Sequence, residues 1–145
     1  MTRPMYESQA DRAHEQQLVT QFAGAFGRRA RKLPLQYRLD YAIINERDDV
    51  LAFAEAKWRS HAFGQYPTLI LSLNKVLAAM HLSSAFGRDS WLVVRWADCC
   101  GYTRITGDYR VSILGRSDRG DWQDIEPVCH IPAQSFQLLK EQTDV

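Results

Sequence analysis

Residues 37–58 put charge where apolar side chains dominate. Asp40 is followed, after fourteen residues, by Glu55-Ala56-Lys57. The segment VLAFAEAKW (50–58) reads as a strand. Strand side chains alternate between faces, so Leu51, Phe53, Glu55 and Lys57 share one face, and Val50, Ala52, Ala54 and Ala56 share the other. Both sets are mostly apolar, as in an interior strand. An unpaired carboxylate on such a stripe is costly, so Glu55 is expected to be ion-paired or metal-bound. YRLDYAIIN (37–45) reads as a second strand, joined to 50–58 by the polar turn ERDD in an antiparallel hairpin. Pairing around that turn brings Asp40, on a face with Arg38, Ala42 and Ile44, to the open end beside Glu55 and Lys57. Two carboxylates offer hard oxygen ligands to Mg²⁺, which keeps most of its waters and favours carboxylate plus phosphate; Mn²⁺ is the expected substitute. Such a metal acidifies a bound water and neutralises charge developing on a phosphodiester. The Lys57 ammonium can orient that water or contact the phosphate, and the Ala56 carbonyl is a further candidate ligand.

The elements that must position these groups follow from periodicity. Residues 6–26 read as an amphipathic helix, with Leu18, Phe22 and Phe26 at spacing four and Gly27 as its C-cap. Residues 67–85 read as a second helix, with Pro67 in its first turn and an apolar stripe of Leu69, Leu73, Val76, Leu77 and Met80. Residues 91–97, 102–106 and 109–115 read as strands, 122–131 as one more, and 132–141 as a short terminal helix. The order α-β-β-α-β-β-β-α suits an α/β (α+β) fold, a mixed sheet flanked by helices, better than a bundle or a sandwich. No linker, repeat or low-complexity tract divides the chain, so residues 1–145 are expected to form one domain.

The spacing Asp40, fourteen residues, Glu55-Ala56-Lys57, on a hairpin between two helices, resembles the PD-(D/E)xK nuclease superfamily. The resemblance covers roughly residues 6–97 and departs from the pattern at Leu39, where many members have proline. It implies a restriction-endonuclease-like core in which Asp40 and Glu55 bind a divalent metal and Lys57 serves the water. It also implies a glutamate on the leading helix near the metal; Glu15 is the candidate, ahead of Glu7. The helix after the motif often faces DNA in such enzymes, which singles out Gln65, Tyr66 and Lys75. The compact size is similar to phage-type or Holliday-junction-resolvase-type endonucleases. The implied function is metal-dependent hydrolysis of DNA phosphodiesters, on branched or phage DNA. The alternative is an inactive nuclease fold that binds nucleic acid or a protein.

Composition is compatible with this and narrows the surroundings. The chain has 145 residues, 46% of them hydrophobic and 11% aromatic, enough for a real core and too apolar for a disordered tail. The net charge of +1 does not by itself mark a nucleic-acid binder, but residues 1–75 carry 11 basic and 8 acidic side chains. Arg28, Arg29, Arg31 and Lys32 form the densest basic run, and Arg59 directly follows the motif; these are the candidates for gripping a phosphate backbone. Cleaving both strands or a junction would favour a C2 homodimer. No apolar run approaches the roughly 20 residues of a membrane helix, and with a polar N-terminus and no apolar h-region a secretory signal is not expected. Three cysteines, two of them adjacent, suggest free thiols in a bacterial or phage-infected host cytoplasm rather than disulfides. Cys99, Cys100, Cys129 and His130 lack the spaced pairs of a zinc site. His14 is expected on the helix surface, and Trp58, Trp91, Trp96 and Trp122 in the core or an interface.

Overall fold

The computed structural model describes residues 9–34, 39–114 and 126–140. Its elements are α1 (Gln9–Ala25), β1 (Arg29–Lys32), β2 (Tyr41–Ile44), β3 (Val50–Trp58), β4 (Thr68–Ser72), α2 (Leu73–Phe86), β5 (Asp89–Arg95), β6 (Cys100–Arg104), β7 (Arg110–Leu114), β8 (Glu126–Pro132), a single 3-10 turn (Ala133–Ser135) and β9 (Gln137–Leu138). Six strands form one mixed sheet in the order β1-β2-β3-β5-β6-β9. Only β3 and β5 run parallel in it, joined by a crossover through β4 and α2. The remaining three strands form an antiparallel sheet, β4-β8-β7.

The two faces of β3 are covered by different partners. On one side, Ala54 and Ala56 pack with Tyr41, Ile43 and Val93 under Leu18, Val19, Phe22 and Ala23 of α1. On the other, Phe53 packs with Leu92 and Val94 against Val76, Ala79 and Leu82 of α2. Behind α2 the second sheet adds Leu69, Leu71, Cys129 and Ile131 to the same cluster. The alternation read from the sequence therefore puts Glu55 on the α2 side of the central strand. α1 ends at Gly27 (φ 70°), where the N–H groups of Gly27 and Arg28 donate to the carbonyls of Gly24 and Ala23. Only glycine enters that left-handed conformation without strain.

Several boundaries differ from the sequence-based expectation. Residues 68–72 are a strand, not the first turn of a helix. Leu69 and Leu71 alternate inward there, and the whole segment pairs with β8, a partner some sixty residues away that no local window contains. Helix α2 starts at Leu73, capped by the Ser72 hydroxyl, which accepts the N–H of Asn74 at 3.2 Å. Its buried stripe is consequently Val76, Ala79 and Leu82, and Leu77 and Met80 are exposed. The basic run 29–32 is an antiparallel edge strand on β2. Its polarity gave no strand signal, because an edge strand with one wet side needs none. The expected terminal helix is replaced by the 3-10 turn and β9. Phe136 turns inward onto Trp96 (ring centroids 5.0 Å apart), and this extends the backbone after Ser135. Phe26, expected in the α1 stripe, lies past the helix end and is half exposed. Residues 37 and 38 of the expected first strand, Glu7 and Trp122 lie outside the described residues.

Candidate active site

The β2–β3 hairpin builds the site from its register. Tyr41 pairs with Ala54, so the next step of the ladder sets Asp40 across from Glu55. Asp40 turns back onto β3, its Oδ2 accepting the N–H of Ala56 at 3.4 Å. Its Oδ1 lies 3.4 Å from Lys32 Nζ at the end of the edge strand β1. Glu55, two positions beyond the core residue Phe53, is 1% exposed. Two ammonium groups reach it. Lys75 Nζ, from the first turn of α2, lies 3.2 Å from Oε1, and Lys57 Nζ, from the same strand, lies 3.7 Å away. Both lysine side chains remain about a third exposed, at 31%.

Burial sets the electrostatics. It pushes the Glu55 carboxyl up from its ordinary value to about 7, and the nearby Asp40 carboxylate pushes in the same direction; Lys75 and Lys57 oppose both. A buried acid held between a second carboxylate and two ammonium groups is a tunable charge at a solvent-open place. The cleft it faces has a volume of about 490 Å³ and is walled by His14, Glu15, Asp40, Ala56, Lys57, Trp58, Arg59 and Lys75.

The donor set suits a hard, hydrated dication. Asp40, Glu55 and the Ala56 carbonyl offer oxygen only, and the mutual repulsion of the two carboxylates is relieved by added positive charge. Among the described residues no group of three or more His, Cys, Asp or Glu forms a ready-made metal cluster. A cation held by this chain therefore completes its shell with water or phosphate, as Mg²⁺ does. The free Cys99, Cys100 and Cys129 are no rival centre, since the buried Cys100 and Cys129 belong to different core clusters.

The structure brings Asp40, Glu55, Ala56, Lys57 and Glu15 to one cleft. It adds Lys75 to the same place, as an ion-pair partner of Glu55. Lys75, singled out in the sequence as a candidate to face DNA, is the only Lys, Arg, Asp or Glu in α2. Trp58, expected in the core, is 48% exposed and stacks on His14 of α1 (centroids 5.0 Å apart, planes 25° apart). Arg59 lines the cleft, but its guanidinium is tied to the carbonyls of Ile70 and Trp58, each at 3.1 Å. Arg28 lies at the other end of β1, close to the α1 terminus. Arg29 and Arg31 both reach Asp48, at 2.8 and 3.4 Å. Gln65 bonds the Tyr66 hydroxyl, and the Tyr66 ring meets His61 edge-on, in the loop after β3.

The fold and the sequence place the chain beside known nucleases. It is similar in structure to the Holliday junction resolvase Hjc of Archaeoglobus fulgidus, an archaeal hyperthermophile. The TM-score is 0.51 with 15% identity, over 64% of this chain and 71% of that one, which shows the restriction-endonuclease-like core. The search of curated proteins gave no match. The family model described as "Phage putative PDDEXK endonuclease" matches residues 1–139, so the chain belongs to that family of PD-(D/E)xK nucleases. No helix among the described residues is long and apolar enough to cross a membrane.

Proposed function

We propose that this protein is a divalent-metal-dependent endonuclease that hydrolyses DNA phosphodiester bonds. The observation that carries the reading is the convergence of Asp40, Glu55 and Lys57 in the lining of one cleft, in a chain of a nuclease family. Asp40, Glu55 and the Ala56 carbonyl would hold Mg²⁺, with Mn²⁺ as substitute. When bound, the ion acidifies water and neutralises charge developing on the phosphate. Lys57 is close enough to Glu55 to be oriented by it, and exposed enough to reach a water or phosphate in the cleft. Lys75 favours the ionised form of Glu55, and Glu15 supplies a carboxylate from the α1 wall. Arg28, the basic strand Arg29–Lys32, Arg59, and the polar Gln65 and Tyr66 are the groups proposed to grip the DNA backbone. Cutting two strands in one encounter needs two such clefts, which a C2 homodimer provides. The phage family fits action on DNA in an infected host cytoplasm.

The test is cleavage of linear duplex and four-way-junction DNA with Mg²⁺ titrated in. Wild type is expected to cleave, and Asp40→Ala and Lys57→Ala are expected to lose cleavage while staying folded. Undiminished cleavage by both variants overturns the assignment. Metal-independent DNA or protein binding by a wild type that never cleaves would instead favour an inactive binding fold.

A further inference from the structure

A second cleft opens beside the first. It has a volume of about 480 Å³ and is walled by the α1 residues His14, Gln17 and Gln21 on one side and by Trp58, Arg59 and Arg95 on the other. His14, Trp58 and Arg59 line both clefts, so the two lie side by side and share this wall. Their chemistry differs. The first is lined by three carboxylates, whereas no Asp or Glu lines the second. The second presents two side-chain amides, the hydroxyl of Ser60 and two arginines whose guanidinium groups also donate to protein atoms, Arg59 to the Ile70 and Trp58 carbonyls and Arg95 to Cys100 Sγ. At the junction sits the Trp58–His14 stack, with the indole about half exposed at the end of the central strand. A tryptophan left this open, backed by a stacked ring, costs apolar surface in water unless something covers it.

We propose that this second cleft receives an unpaired nucleobase of the DNA strand whose phosphate lies at Asp40 and Glu55, with the base stacking on the Trp58–His14 pair. The inference rests on the nuclease reading above and deepens it by naming the substrate class. Every base has a π-face, so an aromatic platform holds single-stranded nucleic acid without sequence preference. The amides of Gln17 and Gln21 offer donors and acceptors to a base edge, and the acid-free lining leaves the flanking phosphates unopposed. A base can enter only if it has left its stack, so the preferred substrates carry unpaired nucleotides near the cut: a junction, a flap, a frayed end or a single strand.

The test uses full-length protein without metal, so that binding is read apart from cleavage. The probes are oligothymidylate and a blunt, fully paired duplex of the same length. Binding of oligothymidylate is expected to quench tryptophan fluorescence in wild type. The quench should vanish in Trp58→Phe, which keeps a stacking ring and most of the affinity. Trp58→Ala should weaken oligothymidylate binding about tenfold or more, within the range for loss of one stacked base, and duplex binding by less than twofold. Equal weakening for both probes, or a quench that survives in Trp58→Phe, overturns the inference. Wild type that cleaves neither substrate in Mg²⁺ yet shows the Trp58-dependent quench would retain the base cleft and reject the nuclease reading. Cleavage of both DNAs with no such quench would do the reverse.

Discussion

Lys75 Nζ lies 3.2 Å from Glu55 Oε1, nearer than the motif lysine Lys57 at 3.7 Å. The two ammonium groups therefore divide the work. Lys75, anchored on α2, is the principal counter-charge of a carboxylate that is 1% exposed, and Lys57 is left freer to act in the cleft.

That division predicts different losses for the two alanine variants. Lys75→Ala removes a charge-assisted hydrogen bond to a buried acid and should lower stability by about 1–2 kcal/mol, with Lys57 limiting the damage. Lys57→Ala should cost less stability yet lower Mg²⁺-dependent cleavage by about 10²–10⁴-fold, the usual range for a group that handles a proton or orients water. Urea denaturation and single-turnover cleavage check the two arms. A larger stability loss in Lys57→Ala would reverse the roles.

The Glu55 carboxyl also makes the metal-free protein pH-sensitive. Its value is about 7 in the folded chain, against an ordinary 4.5, because of burial first and Asp40 second. Between those two values the folded state keeps a proton that the unfolded state has lost, so this residue's contribution to stability falls as pH rises through the window and is flat above it. Glu55→Gln abolishes the effect. In chelator the variant should match wild type below pH 4.5 and exceed it at pH 8, by at most about 3 kcal/mol. Thermal unfolding from pH 4 to 8 measures the difference, and a gap that is constant with pH would count against a buried, titrating Glu55.

Metal should restore what the paired carboxylates forfeit. A ligand held only by the folded state at 100-fold its dissociation constant adds about 3 kcal/mol, or roughly 5–10 °C in a domain of this size. Mg²⁺ is expected to raise the melting temperature of wild type by that order, and chelation should reverse it. Asp40→Asn should show almost no rise, because it keeps the shape of the side chain and removes its charge. Equal stabilisation of both proteins would place the ion elsewhere.

The core of the site was legible because two local rules suffice for it. A period of two fixes which side chains of 50–58 share a face, and a four-residue turn fixes the hairpin, so Asp40, Glu55 and Lys57 fall together without knowledge of the rest. The resemblance singles out Lys75 as a group facing DNA, but its ion pair with Glu55 depends on where α2 begins, which the local pattern does not fix. Leu69, Leu73 and Val76 fit a helical stripe, but β8 claims residues 68–72 for a sheet. The strand Arg29–Lys32 has only Ala30 as an apolar side chain to announce it, and the Trp58–His14 stack joins two elements far apart in sequence. Each of these depends on a partner that no local pattern names.

The basic edge strand offers the last test. Each phosphate contact on duplex DNA contributes about 0.9 to the slope of log affinity against log salt. Arg29 and Arg31 share one counter-ion, Asp48, with side chains more than half exposed, so both can turn to a phosphate at little cost in stability. The triple variant Arg28→Ala, Arg29→Ala, Arg31→Ala should reduce the slope by about 1–3 and change stability by less than about 0.5 kcal/mol. Fluorescence anisotropy of a labelled duplex at several NaCl concentrations reads the slope directly. A smaller slope marks this strand as part of the DNA path. An unchanged slope, with cleavage intact, would route the duplex away from this strand, along Arg59 and the loop holding Gln65 and Tyr66.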